Sequence, residues 1–556
     1  MRNTGTVVVA YDIGTTGAKT CLYGIDEGGA TLIANATHEY GVRFLPNGGV
    51  EQDPDDWWLA ICAGTRAVLT ASGLLPSDIK AIAFCCQMQG LVLVDNAGTP
   101  VRPAMSYMDQ RASEQKRRSM ETGPRVAGLN LRRLLPSLAI AGGVSASTKD
   151  PVWKYQWVRE HEPEAFSRVY RWLDAKEYLV ARATGNFAMT PDSANTTFLY
   201  DTRPERLDER GLGSWSDTLC RLFGVERCHL PDVVSPTDVA GRLLPSSAQE
   251  LGLVPDTPVF GGGGDLSLVG LGSGAVEPGD VHIYMGTSGW VSAVTDRRLV
   301  DTESMIASVM GARPGLYNYI SEQETSGKCM EWVRDHLVLD EVGAYLGARN
   351  AAEDPDAHYA SLFELLDESI ETVPPGADGV LFAPWLHGNR SPFEDPNVRG
   401  AFFNIGLGSG KRSMIRAVAE GIAMHNRWQL ESIRNKAVAH GPLRFVGGGA
   451  RSRSIARIMA DITGEVVETV ESPQNAGALG AALLCAKGLG LLDSLAEAST
   501  LVRASVRYEP DCSRKGLYDD RFGVFKQLYR RNKELFASLN SESRREAKSG
   551  NQTTAL

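Results

Sequence analysis

The chain has 556 residues (60.1 kDa), more than one hydrophobic core usually organises, so two large domains are expected. With 43% hydrophobic and 22% charged residues, the composition is that of an ordinary globular enzyme and excludes a disordered or fibrous chain. A net charge of −10 excludes a basic footprint for nucleic acid or an acidic membrane surface, and no apolar stretch approaches the length of a membrane span or a signal segment. A cytoplasmic location follows as the expectation. The nine cysteines form no CxxC pair and read as reduced thiols, most of them buried.

In chain order, VVVAYDIGTTGAKTCLY from Val7 to Tyr23 is an apolar β-branched run, a Gly/Thr turn and a second alternating run, which predicts a β-hairpin. An amphipathic helix is predicted over Asp55 to Ala71, and strands over Ile79 to Phe84 and Leu91 to Asp95. This alternation points to an α/β fold. From Thr257 a short apolar run leads into four glycines, an acid and small residues that open a helix, and the domain boundary is expected there: 1–256, then 257–540, with a frayed polar tail over 541–556. DVHIYMGTSGWVSAV, from Asp280 to Val294, repeats the first hairpin about half a chain later and suggests an internal duplication. A third strand–glycine–helix unit begins at Leu443. The Ala/Gly/Leu run after Glu471 suits a tightly packed helix.

The two hairpin tips carry the chemistry. Each sets glycines and hydroxyls where backbone N–H and side-chain O–H groups can converge on an anion, and two facing tips can hold a triphosphate. Asp12 closes the first strand beside its loop, where a carboxylate next to phosphate calls for an intervening cation, and Mg²⁺ is commonly held by one or two carboxylates, waters and phosphates. Asp265 follows the four glycines at a strand end and is a candidate to accept a hydroxyl proton during phosphoryl transfer. VGGGARS, Val446 to Ser452, is a tight turn able to accommodate an adenine or ribose. It is not GxGxxG, and the amino-terminal loop opens a hairpin, which leaves a dinucleotide enzyme a poor second reading. Lys19 is counted with the nucleotide candidates, although the GxxxxGK[ST] spacing of a P-loop lysine is absent. His387 and Arg390 in PWLHGNRSP receive no catalytic role.

The motifs DIGTTGAK at Asp12, QMQG at Gln87, SYMDQR at Ser106, GGGGD at Gly261, MGTSG at Met285, PWLHGNRSP at Pro384, RGAFFNIGL at Arg399 and VGGGARS at Val446 occur in an order that resembles the FGGY carbohydrate kinases. The likeness runs from Val7 to about Ser538. It implies two actin-like, ribonuclease H-like domains with an interdomain cleft, ATP and Mg²⁺ as cofactors, and a sugar as the small-molecule partner. A homodimer is the expected assembly for such an enzyme. By the same resemblance Asp265 is the catalytic base and Asp12 the metal-associated carboxylate. Gly14, Thr15, Thr16, Gly286, Thr287 and Ser288 are phosphate contacts, and Gly448, Gly449 and Ser452 belong to the adenosine pocket. Gln87, Met88, Gln89 and Asp109, with Asp265, meet the sugar. The pattern is nearest the xylulokinase branch, which implies phosphorylation of D-xylulose to D-xylulose 5-phosphate. Where that branch reads QMHG this chain has Gln89, and Tyr107 and Met108 stand before Asp109 where it has a Trp ahead of Asn-Asp. Other ketoses or polyols, including ribulose, L-xylulose, L-fuculose, erythritol and glycerol, stay open as acceptors. An actin-like ATP-dependent sensor is the alternative from another class.

Overall fold

The computed structural model describes residues 5–126, 128–339 and 366–541; the tail expected to fray lies, beyond Ser541, outside the described residues. The predicted first hairpin is β1 (Thr6–Ile13) and β2 (Gly17–Asp26), paired antiparallel with Asp12 opposite Lys19. Beside it lie β3 (Gly29–Glu39), antiparallel to β2, and β4 (Ile79–Cys86), parallel to β1. Helix α1 (Pro54–Ser72) connects β3 towards β4, capped by Asp53 at its start and by left-handed Gly73 at its end. The edge is completed by β5 (Val239–Arg242) and β6 (Pro258–Phe260), giving the order β5-β6-β4-β1-β2-β3, while the two-residue β7 (Gly263–Gly264) also pairs with β4.

The second sheet repeats this plan. β8 (Val281–Met285) and β9 (Gly289–Thr295) form the second hairpin, β10 (Tyr317–Gln323) pairs antiparallel with β9, and β11 (Leu443–Val446) and β12 (Val467–Val470) follow in parallel on the far side of β8. Both sheets therefore run from three antiparallel strands, third, second and first, into two parallel ones, β4 and β6 in the first sheet and β11 and β12 in the second, which is the ribonuclease H-like order. The duplication read from the two hairpins extends to the whole sheet.

The boundary expected at 257 falls between β5 and β6, which pair with each other in the first sheet. β6 and β7 hydrogen-bond to β4, so the first domain continues past them, and the turn of chain direction comes with helix α4 (Asp265–Ser273). Of the four glycines, Gly263 and Gly264 form β7, and Gly261 and Gly262 join it to β6.

Two more helices from the first half matter for the site, α2 (Pro151–His161) and α3 (Ala175–Thr184). From the second half come α5 (Arg453–Thr463) and α6 (Ala476–Gly488), the Ala/Gly/Leu run. Helix α6 packs on α4 backbone to backbone: a Cβ on Gly272 would lie 1.9 Å from Ala476 O, and one on Gly480 would lie 2.1 Å from Leu268 O. Only glycine allows that approach. The two helices share one buried apolar cluster with β1, β2, β4 and the ends of β11 and β12, so a helix from each half fills the space between the sheets. Seven of the nine cysteines are buried and all are free thiols; Cys228 and Cys512 are exposed.

Candidate active site

Strand register sets the two acids side by side. Asp12 lies opposite Cys85, Ile13 opposite Cys86, and Gly264 opposite Cys86 from the other side. Asp12 and Asp265 thus leave the same, carboxyl-terminal end of a parallel trio of strands, two strand spacings or about 10 Å apart along the sheet. This is the end at which open α/β sheets bind ligands. Asp265 is the first residue of α4, and its Oδ1 accepts from Leu266 N at 2.9 Å. Desolvation, then the charge of Asp12, then those of Glu322 and Asp174 push its carboxyl up to about 8, against the Leu266 N–H, which lowers it. Such a carboxyl is poised to take a proton near neutral pH.

The backbone that carries Asp265 is braced from beneath by residues with no motif to announce them. Asp192 Oδ2 accepts from Gly264 N at 2.7 Å, and buried Lys176 bonds Glu177 (2.5 Å) and Thr190 Oγ1 (2.7 Å). A Cβ on Gly264 would sit 2.1 Å from Met88 Sδ, so Met88 packs directly against the residue preceding Asp265.

The first tip is held by side chains from three segments. Tyr40 OH donates to Gly14 O (2.6 Å), Gln52 Nε2 donates to Thr15 O (2.8 Å), and Thr15 Oγ1 shares a hydrogen bond with Tyr107 OH (3.2 Å). Thr16 is exposed at the tip. The second tip is tied by backbone: Gly327 N donates to Gly286 O (2.8 Å) and Ser326 N to Thr287 O (3.1 Å), leaving Thr287 exposed and Ser288 half-buried. The tips converge, since Tyr284 before the second one feels the charges of Lys19, Asp12 and Asp265.

The VGGGARS turn is seated on the second hairpin. Gly447 has φ of 94°, and a Cβ there or on Gly449 would strike Met285, at 2.6 Å from its O and 2.3 Å from its Sδ respectively. Gly448 has open space on its Cβ side and is exposed, while Gly449 is half-buried.

Three expected contacts are reassigned. Asp109 is 0% exposed and its oxygens accept from Val50 N (2.8 Å) and from Arg111 (Nη2 at 2.6 Å), so it braces its loop and offers no free oxygen to a sugar. Lys19 Nζ is held by Asp12 (3.2 Å) and by Gln474 O (2.8 Å) of the second half; burial would lower its pKa, but Asp12 and Tyr284 raise it overall. It is a partner of the Asp12 carboxylate and not an open phosphate ligand. Ser452 accepts from Ile455 N at 3.0 Å as the cap of α5 and donates to Asp367, so its hydroxyl is spent inside the protein.

On the sugar side, Gln89 adopts a left-handed φ of 65°. Its carbonyl and that of Ser106 accept from buried Lys154 Nζ on α2 (2.8 and 2.7 Å), and the next amide, Gly90 N, donates to Asp174 (3.1 Å) at the start of α3. Burial lowers Lys154 to about 8 and raises Asp174 to about 7. Arg390, left without a catalytic role, pairs with Glu322 at 2.5 Å, and Lys149 of the first half pairs with Glu324 of the second at 2.8 Å. The residues fit a cation between phosphates and Asp12: a half-buried carboxylate at a strand end offers it oxygen, and the N–H and O–H donors of the adjacent loop face the phosphates, while Lys19, now paired with Asp12, would have to share that carboxylate.

The structure thus sets two glycine- and hydroxyl-bearing tips of a duplicated ribonuclease H-like sheet near a carboxyl, Asp265, that burial and Asp12 raise to about 8. Models of the FGGY family of carbohydrate kinases match residues 7–272 (N-terminal domain) and 281–489 (C-terminal domain), and the chain belongs to that family. It is a sugar kinase, a phosphotransferase with a hydroxyl as acceptor. A xylulose kinase of Lactococcus lactis is 30% identical over 96% of this chain and 98% of that one, and a gluconokinase of Bacillus subtilis is 25% identical over 90% and 91%. The solved structure of a ligand-bound xylulose kinase from Lactobacillus acidophilus shares the fold with a TM-score of 0.79 at 22% identity, covering 96% of this chain and 100% of that one. Among the described residues no helix is long and apolar enough to cross a membrane.

Proposed function

We propose that this kinase transfers the γ-phosphoryl group of ATP to D-xylulose, giving D-xylulose 5-phosphate, with Asp265 as general base. The observation that carries the proposal is the Asp265 carboxyl, set at the shared end of β1, β4 and β7 and held near 8 by burial and by Asp12. It accepts the hydroxyl proton as the acceptor oxygen attacks. Asp192, through Gly264 N, keeps the carboxyl's backbone from drifting, which matters because small displacements cost large factors in rate. Gln87, Met88 and Gln89 receive the sugar, with the Gln89 turn held open by Lys154. Gly14 to Thr16 and Gly286 to Ser288 receive the phosphates, and the adenosine lies toward Gly448. Asp12 would hold Mg²⁺, which supplies charge neutralisation of the phosphates when bound.

The relatives support the xylulose reading by their names alone, and Gln89 in place of an imidazole alters the group offered to the acceptor. Coupled ADP release with Mg·ATP over D-xylulose, L-xylulose, both ribuloses, L-fuculose, gluconate, glycerol and erythritol tests it. Turnover confined to D-xylulose is the expected result. Turnover confined to another member moves the substrate and keeps the mechanism, and ADP release indifferent to every acceptor favours an ATP-dependent sensor.

A further inference from the structure

Between the phosphate tip and the sugar-side loop lies Gln52, the last residue of the short strand Val50–Gln52 and only 1% exposed. Its Nε2 donates to Thr15 O at 2.8 Å, and its Oε1 accepts from Gln87 Nε2 at 2.8 Å. The order of these bonds is dictated by chemistry. A backbone carbonyl can only accept, so Gln52 must turn its NH₂ toward Thr15 and its oxygen away; that oxygen in turn needs a donor, so Gln87 must supply its own NH₂. Gln87 Oε1 is then left over. It is buried, in a side chain only 8% exposed, and has no partner among the described residues. The Gln87 backbone cannot swing away to relieve this, because its N–H is fixed on Ile13 O at 2.8 Å at the end of β1.

We propose that Gln52 is a positioning residue that couples the two substrates. It fixes the direction of the Gln87 amide so that Gln87 Oε1 accepts a hydrogen from an acceptor hydroxyl, and through the same pair of amides it ties that event to the Thr15 carbonyl of the phosphate tip. The inference rests on the sugar-kinase reading and adds to it the polarity of one contact. The group recognised is a hydroxyl that donates; an acceptor with a carbonyl, ether or hydrogen at that position leaves a buried oxygen unpaired and is disfavoured.

The test uses the full chain and three proteins: wild type, Gln52→Met and Gln52→Glu, with melting curves as a folding check. Gln52→Met removes both bonds at similar volume. It is expected to raise the acceptor KM about tenfold with a smaller change in kcat, to reduce discrimination against an acceptor lacking one hydroxyl, and to speed amide hydrogen exchange over residues 14–17 without ligand. Gln52→Glu keeps an acceptor for Gln87 but sets a carboxylate against Thr15 O, so its ATP KM rises more than its acceptor KM. That opposite split is not what a general loss of packing produces. Both KM values within twofold of wild type in Gln52→Met, or unchanged exchange over 14–17, overturn the proposal; should that variant not fold, equal effects on both KM values in Gln52→Glu overturn it. A wild type that turns over no acceptor sinks the kinase reading instead, while the exchange measurement still decides whether Gln52 ties the tip.

Discussion

The two hairpin tips are built on the same strand order but are finished differently. The first ends on an acid, Asp12, and is gripped by side chains from distant segments: Tyr40, Gln52 and Tyr107. The second ends on Met285, carries no acid and is held by the backbone of Ser326 and Gly327. A duplicated scaffold has thus been divided in labour. The first copy, with the long insertion between β4 and β6, carries the two carboxylates and the Gln87–Gln89 segment, and the second carries the Gly286–Ser288 tip and the VGGGARS turn.

Removing the charges should affect the first tip's side most. Asp265→Asn is expected to lower kcat by about 10²–10⁴-fold, the usual worth of a positioned base, with little change in melting temperature. In the wild type the carboxyl must be ionised to accept a proton, so below about 8 its unprotonated fraction, and with it kcat/KM, falls as pH falls; above that value the profile levels. Asp12→Asn removes the neighbouring charge that helps raise Asp265 and should shift this ascending limb to lower pH while weakening the dependence on Mg²⁺. A limb that stays in place would separate the two acids.

Two glycines sharpen the comparison at smaller amplitude. Gly477, at the start of α6, would set a Cβ 2.8 Å from Cys85 Sγ and 3.1 Å from Asp12 Cγ, so Gly477→Ala should cost about 1–3 kcal/mol in denaturant unfolding and disturb Asp12. Gly448→Ala, on the second copy's side, meets open space and should leave stability within about 0.5 kcal/mol, as surface changes do, while raising the ATP KM several-fold. At the mostly buried lobe-to-lobe pair, Glu324→Gln takes the carboxylate from Lys149 and should cost about 1–3 kcal/mol in denaturant unfolding.

Much of this site was legible because its pieces are contiguous. A hairpin with Gly and Thr at its tip, or an acid behind a run of glycines, is a local statement that five or ten residues can make. The misreadings share one cause, the partner supplied from elsewhere. Asp109 looked like a free carboxylate, but Val50 N lies 59 positions away in sequence and Arg111 closes the other side. Ser452 was expected in the adenosine pocket by the family resemblance, and it is a helix cap bonded to Asp367. Lys154, Asp174, Asp192 and Gln52 carried no signal, because no motif or spacing sets them apart from the residues around them.

By itself the sequence pointed to the α/β class, the two tips and the positions of Asp12 and Asp265, which rest on turn chemistry and short-range order, and the order of its motifs carried the resemblance to the family. Tertiary structure decided where the first domain ends, which carboxylates are free and which way the amides point. Those are properties of burial and of pairings such as Lys19 with Gln474, 455 residues apart, and a buried polar group takes its role from whatever partner the fold brings to it.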